Sequence, residues 1–150
     1  MKTIPLEQWA DVLRAQITRL PTATNVVLEG LGEAMERNAK GMIGEYQPDW
    51  APLAESTVEE KKALGYAPPD NPLLRDGDMR ESIGHGIVGD MHAGAAVVVV
   101  GSPSEVALFQ EMGTQDIPPR PFLARAVIEA RPLVEKELGE MMVEVLGTVP

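Results

Sequence analysis

Residues 108–123 read LFQEMGTQDIPPRPFL, and this stretch decides the local structure of the second half of the chain. The apolar residues before Gly113 predict a helix that ends there, because glycine is common just past a helix C-terminus. Three prolines then exclude a helix from residues 117–121, since proline lacks an N–H donor and residues before proline avoid the α conformation. Phe122 opens a long final helix, which Pro132 should kink or split.

The elements before this stretch follow from apolar spacing. Residues 6–20 and 27–42 repeat apolar side chains every three or four positions, which predicts two N-terminal amphipathic helices separated at Pro21. Residues 83–88 and 96–100 predict two strands joined by a hairpin, and the valine run in the second strand predicts a strand covered on both faces. The expected class is α+β: two N-terminal helices and one long C-terminal helix packed on a small antiparallel sheet, with a long proline-rich loop.

The length of 150 residues and a hydrophobic share of 44% fit a single domain over residues 1–150. We expect a helical N-terminal part at 1–45, an extended loop or arm at 46–78, and a sheet and helix core at 79–150. The five prolines of the middle segment break regular structure, and long irregular segments are usually functional or ordered by a partner. This arm is therefore expected to lie on a neighbouring subunit.

The charge and the cysteine count limit the classes of function. The net charge of −10 disfavours specific nucleic-acid binding, which normally requires a basic face. The chain has no cysteine, which excludes disulfides, cysteine-based zinc sites and thiol nucleophiles. The start lacks the apolar run of a signal peptide, and the longest apolar stretch is too short to span a bilayer, so no membrane association is expected.

Few residues suggest catalysis or metal binding. Residues 84–89 match G-x-G-x-x-G, but these glycines lie in a predicted strand and no helix follows, so a nucleotide site is not expected. His85, Asp90 and His92 could approach one another on the hairpin, and no nucleophile elbow accompanies the histidines. We expect no catalytic residue, no cofactor and no metal. A small metal- or ligand-binding protein or enzyme that uses the His85/His92 hairpin stays open as an alternative.

An ordered set of four motifs resembles the small head–tail joining proteins of tailed bacteriophages, known as phage virion morphogenesis, tail-completion, neck or minor tail proteins. The central motif is a short helix with glutamate before Gly-Thr, followed by Pro-Arg-Pro-Phe-Leu and a long terminal helix. The other three are a tryptophan-proline-leucine loop, a leucine-arginine-turn-serine-isoleucine element and a strand that ends in Val-Gly. They occupy residues 108–123, 50–62, 72–83 and 97–101. Val106–Ala107 departs from the family, which often has tyrosine-alanine at that place.

The resemblance implies an α+β subunit that assembles as a ring, six-fold in the family, around the DNA conduit of a virion made in the bacterial host cytoplasm. It implies portal, adaptor, tail-terminator and tail proteins as partners, while DNA passes nearby without specific binding. We expect Phe122 to be an apolar anchor, Arg120 to bind a carboxylate such as Glu111, and the Trp50 loop to contact a neighbour. The candidate contact residues are Trp50, Pro52, Leu53, Arg75, Phe109, Glu111, Thr114, Pro119, Arg120, Pro121 and Phe122. A second alternative is an adaptor that binds a partner through the proline-rich segment without forming a ring.

Overall fold

The structure is a computed structural model that describes residues 5–147. This part of the chain contains six α-helices and one two-stranded antiparallel sheet, with 59% helix and 10% strand, so the α+β class is confirmed. A 3₁₀ turn at Met91–Ala93 joins the two strands. The elements in chain order are α1 Leu6–Met42, α2 Glu55–Ala63, α3 Asp78–Glu81, β1 Gly84–Asp90, β2 Ala95–Gly101, α4 Glu105–Met112, α5 Leu123–Glu129 and α6 Arg131–Leu146.

The two helices predicted in the N-terminal part form a single helix in the structure. α1 runs for 37 residues and includes Pro21, so the prediction of two helices separated at this proline is wrong. Proline in a helix interior removes one hydrogen bond and costs roughly 3 kcal/mol. The apolar spacing continues on both sides of Pro21, and Leu31, Met35 and Met42 of the second half are buried. Burial of these side chains stabilises the helix by more than the proline destabilises it.

The C-terminal region divides as the sequence predicts. α5 and α6 are separated at Ala130, and Pro132 is the second residue of α6. The first-turn N–H groups of a helix have no intrahelical acceptor, so proline is tolerated there.

The hairpin is confirmed, but the expected cover over both faces of its second strand is absent. Val97 and Val99 are exposed while Val98 and Val100 are partly buried, which is the alternation of a sheet covered on one face. Gly89 has φ +89°, and a Cβ at this position would lie 2.5 Å from the carbonyl oxygen of Ala95. Only glycine fits this close approach of the two strands.

The chain folds into two compact units, and α1 and both strands take part in each of them. Unit 1 contains Met1–Gly32, Gly86–Val99 and Arg131–Pro150. Unit 2 contains Glu33–His85 and Val100–Ala130. The buried apolar residues of unit 1 are Leu31, Met141 and Val145. The core of unit 2 is a larger cluster of nine buried side chains: Ala39, Met42, Ile43, Trp50, Met79, Ile83, Ala107, Phe122 and Ala126.

The segment 46–78 is part of this core and is not an extended arm. Trp50 is buried in the core of unit 2, and Leu73 and Leu74 pack against it. The Lys61 ammonium donates a hydrogen bond of 2.7 Å to the carbonyl of Asn71, which ties α2 to the following loop. Trp50 and the leucine pair supply apolar area that this aromatic-poor core would otherwise lack. Within residues 5–147, no helix combines the length and the apolar character that a membrane crossing requires.

We expect Pro21→Ala to stabilise the protein by about 1–3 kcal/mol, because alanine restores the missing N–H donor and is the best helix former. Urea unfolding of the variant and the parent protein measures this gain. Pro132→Ala is the matched control, since the first turn of α6 tolerates proline, and its effect should stay within about 0.5 kcal/mol. Equal shifts for both variants would contradict the explanation given for α1.

Candidate subunit-contact surface

The guanidinium of Arg120 holds the chain segment after Gly113 against the loop at residues 51–52. Arg120 is 4% exposed, and its Nη2 donates hydrogen bonds to the carbonyls of Ala51 at 3.0 Å and Pro52 at 3.3 Å. Its Nε donates a further bond to Ala51 at 3.3 Å. The planar fork of arginine donors suits two adjacent acceptors. The expected ion pair with Glu111 is wrong, because backbone carbonyls accept these hydrogen bonds.

Glu111, at the end of α4, caps the N-terminus of α5. Its Oε2 accepts hydrogen bonds from the backbone N–H groups of Phe122 at 2.8 Å and Leu123 at 2.9 Å. Its Oε1 accepts a third bond from Ala124 at 2.8 Å. Helix N-termini have free N–H donors and a partial positive charge, so a carboxylate is favourable there. α5 has no side-chain cap from its own N-cap residue, and Glu111 supplies the acceptors instead.

The loop between α4 and α5 is fixed by its own hydrogen bonds. The Thr114 hydroxyl accepts bonds from the N–H groups of Asp116 and Ile117, and the Thr114 N–H donates to Ile117 at 2.8 Å. Gly113 has φ +74°, and a Cβ there would lie 2.9 Å from atoms of Ile117 and Pro119. Glycine is therefore required at the C-terminal end of α4, and the loop has little conformational freedom between α4 and α5.

The predicted contact residues separate into buried and accessible groups. Trp50, Arg120 and Phe122 are buried inside the chain, so the prediction that they contact a neighbour is wrong for these three side chains. Their positions show that they hold the loop and the start of α5 in the core. The remaining eight residues are exposed or partly exposed: Pro52, Leu53, Arg75, Phe109, Glu111, Thr114, Pro119 and Pro121.

α4 carries an exposed apolar face that the sequence analysis largely missed. Val106, Leu108, Phe109 and Met112 are exposed, and Met112 reaches 71%. Ala107 on the opposite side of the helix is buried in the core of unit 2. Only Phe109 was predicted as a contact residue. The spacing of three residues between Val106, Phe109 and Met112 indicates an apolar helix face. Periodicity alone does not say whether that face points into the core or into solvent.

A groove of about 590 Å³ lies in unit 2 beside the proline-rich segment. Four of the predicted residues line it, namely Pro52, Leu53, Arg75 and Arg120. The Arg75 guanidinium carbon lies 5.4 Å from the centre of the Tyr66 ring, a cation–π distance that restrains this side chain. The rest of the lining is mainly apolar and includes Leu64, Leu73, Leu74, Met79, Val106, Ile117 and Pro118.

The two histidines contact neighbouring polar side chains. His85 Nδ1 bonds the carboxylate of Glu36, which also pairs with Lys40. The hydrogen bond from Lys40, followed by that from His85, lowers the pKa of Glu36 from 4.5 to about 2. His92 Nε2 lies 3.3 Å from the hydroxyl of Thr22. Within the described residues, no group of three or more histidine, aspartate or glutamate side chains has the arrangement of a metal site.

We expect Glu111→Gln to destabilise the protein by about 1–2 kcal/mol, because the neutral amide keeps one acceptor and loses the charge at the helix N-terminus. Urea unfolding measures the effect. Glu144→Gln replaces an exposed glutamate of α6 and should change the free energy of unfolding by less than about 0.5 kcal/mol. A Glu111→Gln variant as stable as this control would contradict the capping role.

The Glu36 interactions predict an acid-dependent loss of stability. The pKa of Glu36 is lower in the folded protein, at about 2, than the ordinary value of 4.5, so its ion pairs stabilise the fold above pH 4.5. This stabilisation is lost as the pH falls from 4.5 through 2. We expect the free-energy difference between the parent protein and Glu36→Gln, measured by urea unfolding, to shrink across this window. A difference that stays constant between pH 4.5 and 2 would contradict this role of Glu36.

No protein-family model matches this chain, and searches among curated proteins and solved structures gave no significant match.

Proposed function

We propose that the protein is a non-enzymatic structural component of a tailed-phage virion, located at the head–tail junction and assembled as a ring around the DNA conduit. The observation that carries the proposal is the exposed apolar face of α4, formed by Val106, Leu108, Phe109 and Met112. Leu108, Phe109 and Met112 of this face belong to the motif of residues 108–123, which resembles the head–tail joining family. Contiguous exposed apolar side chains typically mark a protein contact.

The surroundings of this face suit a contact made without large rearrangement. The Glu111 carboxylate joins the end of α4 to the start of α5, and Arg120 joins the intervening segment to residues 51–52. A contact on a preorganised surface loses less conformational entropy on binding than one on a mobile loop. The motif therefore supports the proposal by making α4 rigid, while the exposed side chains of α4 would make the contact.

A ring needs two different surfaces on each subunit, because a head-to-tail contact must be repeated around the axis. Leu108, Phe109 and Met112 of the α4 face form the first surface, since Val106 also lines the groove. The groove beside Ile117 and Pro118 is our candidate for the second, since its apolar lining would accept apolar side chains of the next copy. The net charge of −10 fits a DNA conduit, because an acidic wall repels phosphate and lets DNA pass without binding.

The groove also favours a second candidate function, an adaptor that binds a partner peptide beside the proline-rich segment without forming a ring. The groove volume of about 590 Å³ is within the range of small-molecule and peptide sites. A protein that stays monomeric at every concentration and binds an apolar peptide through this groove would support the adaptor.

We expect deletion of the gene from the phage or prophage genome that encodes it to leave DNA-filled heads and separate tails. Electron microscopy of lysates and plaque counts measure this defect. A plasmid copy of the parent gene should restore joined particles, and a copy with Met112→Lys should restore at least tenfold fewer, because a charge on the apolar face opposes its burial. Ala63→Lys places the same charge on an exposed site of α2 and should restore particles fully.

Joined, infectious particles from the deletion would contradict the virion role. Full rescue by Met112→Lys would leave that role intact and contradict the α4 contact.

A further inference from the structure

The first half of α1 exposes a continuous apolar stripe in unit 1. Its large side chains are Leu6, Trp9, Leu13 and Ile17, with Leu6 86% and Ile17 65% exposed. At about 100° of rotation per residue, these four positions fall within an arc of roughly 80°. They therefore share one helix face and do not wind around the helix.

The same face is a packing face farther along α1. Leu31 and Met35 lie on the same arc by helical periodicity, and both are buried, with Leu31 only 2% exposed. An isolated helix gains little from such a stripe, and amphipathic helices are stabilised mainly by covering it. The four stripe residues therefore have the spacing of a covered helix face, while their side chains are exposed.

The last residue of α6 meets α1 at Gln16. Gln16 is buried, and its Nε2 donates a hydrogen bond of 3.2 Å to the carbonyl of Leu146, the last residue of α6. At about 1.5 Å per residue, residues 6–15 extend roughly 15 Å beyond this point. The free end of α1 thus has the length of three helical turns with an apolar face available for another helix.

The charge distribution points to a second copy of this chain as the occupant. Residues 6–20 contain two acids, Glu7 and Asp11, and two bases, Arg14 and Arg19, so this segment has a net charge of zero in a chain of −10. Asp11 and Arg14 also pair with each other at 3.0 Å. Two copies can approach through this neutral segment without the repulsion that acidic surfaces would produce.

We propose that residues 6–17 of α1 pair with the same residues of a second copy as an antiparallel helix pair. Antiparallel pairing overlaps the two free ends and separates the two α6 helices. Parallel pairing would bring these α6 helices together at the same end, and each carries four glutamates against two bases. With residue 6 opposite residue 16, Leu13 of one copy faces Trp9 of the other and the two-fold axis passes near residue 11.

This contact goes beyond the proposed virion role. It is a two-fold contact, whereas a ring closes through head-to-tail contacts, and the two kinds together produce stacked rings with dihedral symmetry. The stripe belongs to unit 1, and the α4 face belongs to unit 2. The helix pair can therefore be tested independently of the ring.

The first test measures mass against concentration by sedimentation or light scattering. We expect the parent protein to associate as its concentration rises, and Leu13→Lys to weaken the association at least tenfold. Ala15→Lys puts the same charge on the opposite face of α1 and should associate like the parent protein, with circular dichroism confirming an intact helix in both variants. A parent protein with no concentration dependence, or equal association of the two lysine variants, would overturn the helix pair.

The second test uses disulfide trapping. The chain has no cysteine, so only the introduced cysteines can form a disulfide. In the antiparallel pair, two copies of Ala10→Cys lie next to each other near the axis and should form a disulfide. Two copies of Leu6→Cys are about ten residues, or roughly 15 Å, apart along the pair, well beyond the Cα distance of about 7 Å that a disulfide tolerates. Ala15→Cys, on the opposite face, controls for random collisions.

A Leu6→Cys disulfide, or an Ala10→Cys yield no higher than that of Ala15→Cys, would overturn the antiparallel arrangement. Neither result changes the expected phenotype of Met112→Lys, so failure of the helix pair and failure of the virion role are distinguishable.

Discussion

The carboxylate of Glu111 is the interaction on which the architecture of unit 2 depends. It is the acceptor for three successive backbone N–H groups at the start of α5, and it belongs to the preceding helix. A helix of seven residues is too short to be stable alone, so α5 needs both this cap and its packing. Phe122 and Ala126 enter the core only if α5 begins at this place and in this direction. One side chain of α4 thus fixes the position of the next helix.

Arg120 stabilises the same region as the Glu111 cap, and burial of its charged guanidinium costs solvation free energy. A buried guanidinium is unfavourable unless its donors find acceptors, and the carbonyls of Ala51 and Pro52 accept the hydrogen bonds of Nε and Nη2. The carbonyls belong to the residues after Trp50, so the arginine also sets the position of the tryptophan in the core. This explains how a tryptophan loop and a Pro-Arg-Pro-Phe motif, about seventy residues apart, form one structural unit. Their buried side chains give a scaffold, and the neighbouring exposed ones are available for contacts.

Local sequence signals predicted local structure well. Gly113 ended α4, Pro132 accompanied the division between α5 and α6, and the apolar runs at residues 83–88 and 96–100 gave the hairpin. The errors came from long-range interactions. Pro21 was tolerated because the downstream helix is held by burial, and Trp50 was buried because distant residues meet it. The partner of Arg120 could not be read from the sequence, because carbonyls occur at every residue. Glu111 was predicted as a contact residue and as the partner of Arg120, whereas its role as a helix cap is visible only in the three-dimensional arrangement.

The exposed apolar surfaces follow from the same physics as the core. Aromatic residues make up only 4% of the chain, so its apolar area is spread over many leucine, valine and methionine side chains on helix faces. Each helix can cover only the part of its face that a neighbour reaches, and α6 ends where its last residue meets α1 at Gln16. A long helix paired with a shorter one must leave an uncovered end. In a chain of net charge −10, general association is opposed by repulsion, so association is favoured where the charges balance and an apolar stripe is exposed. The length difference between α1 and α6, together with the local neutrality of residues 6–20, therefore selects one end of one helix as a contact.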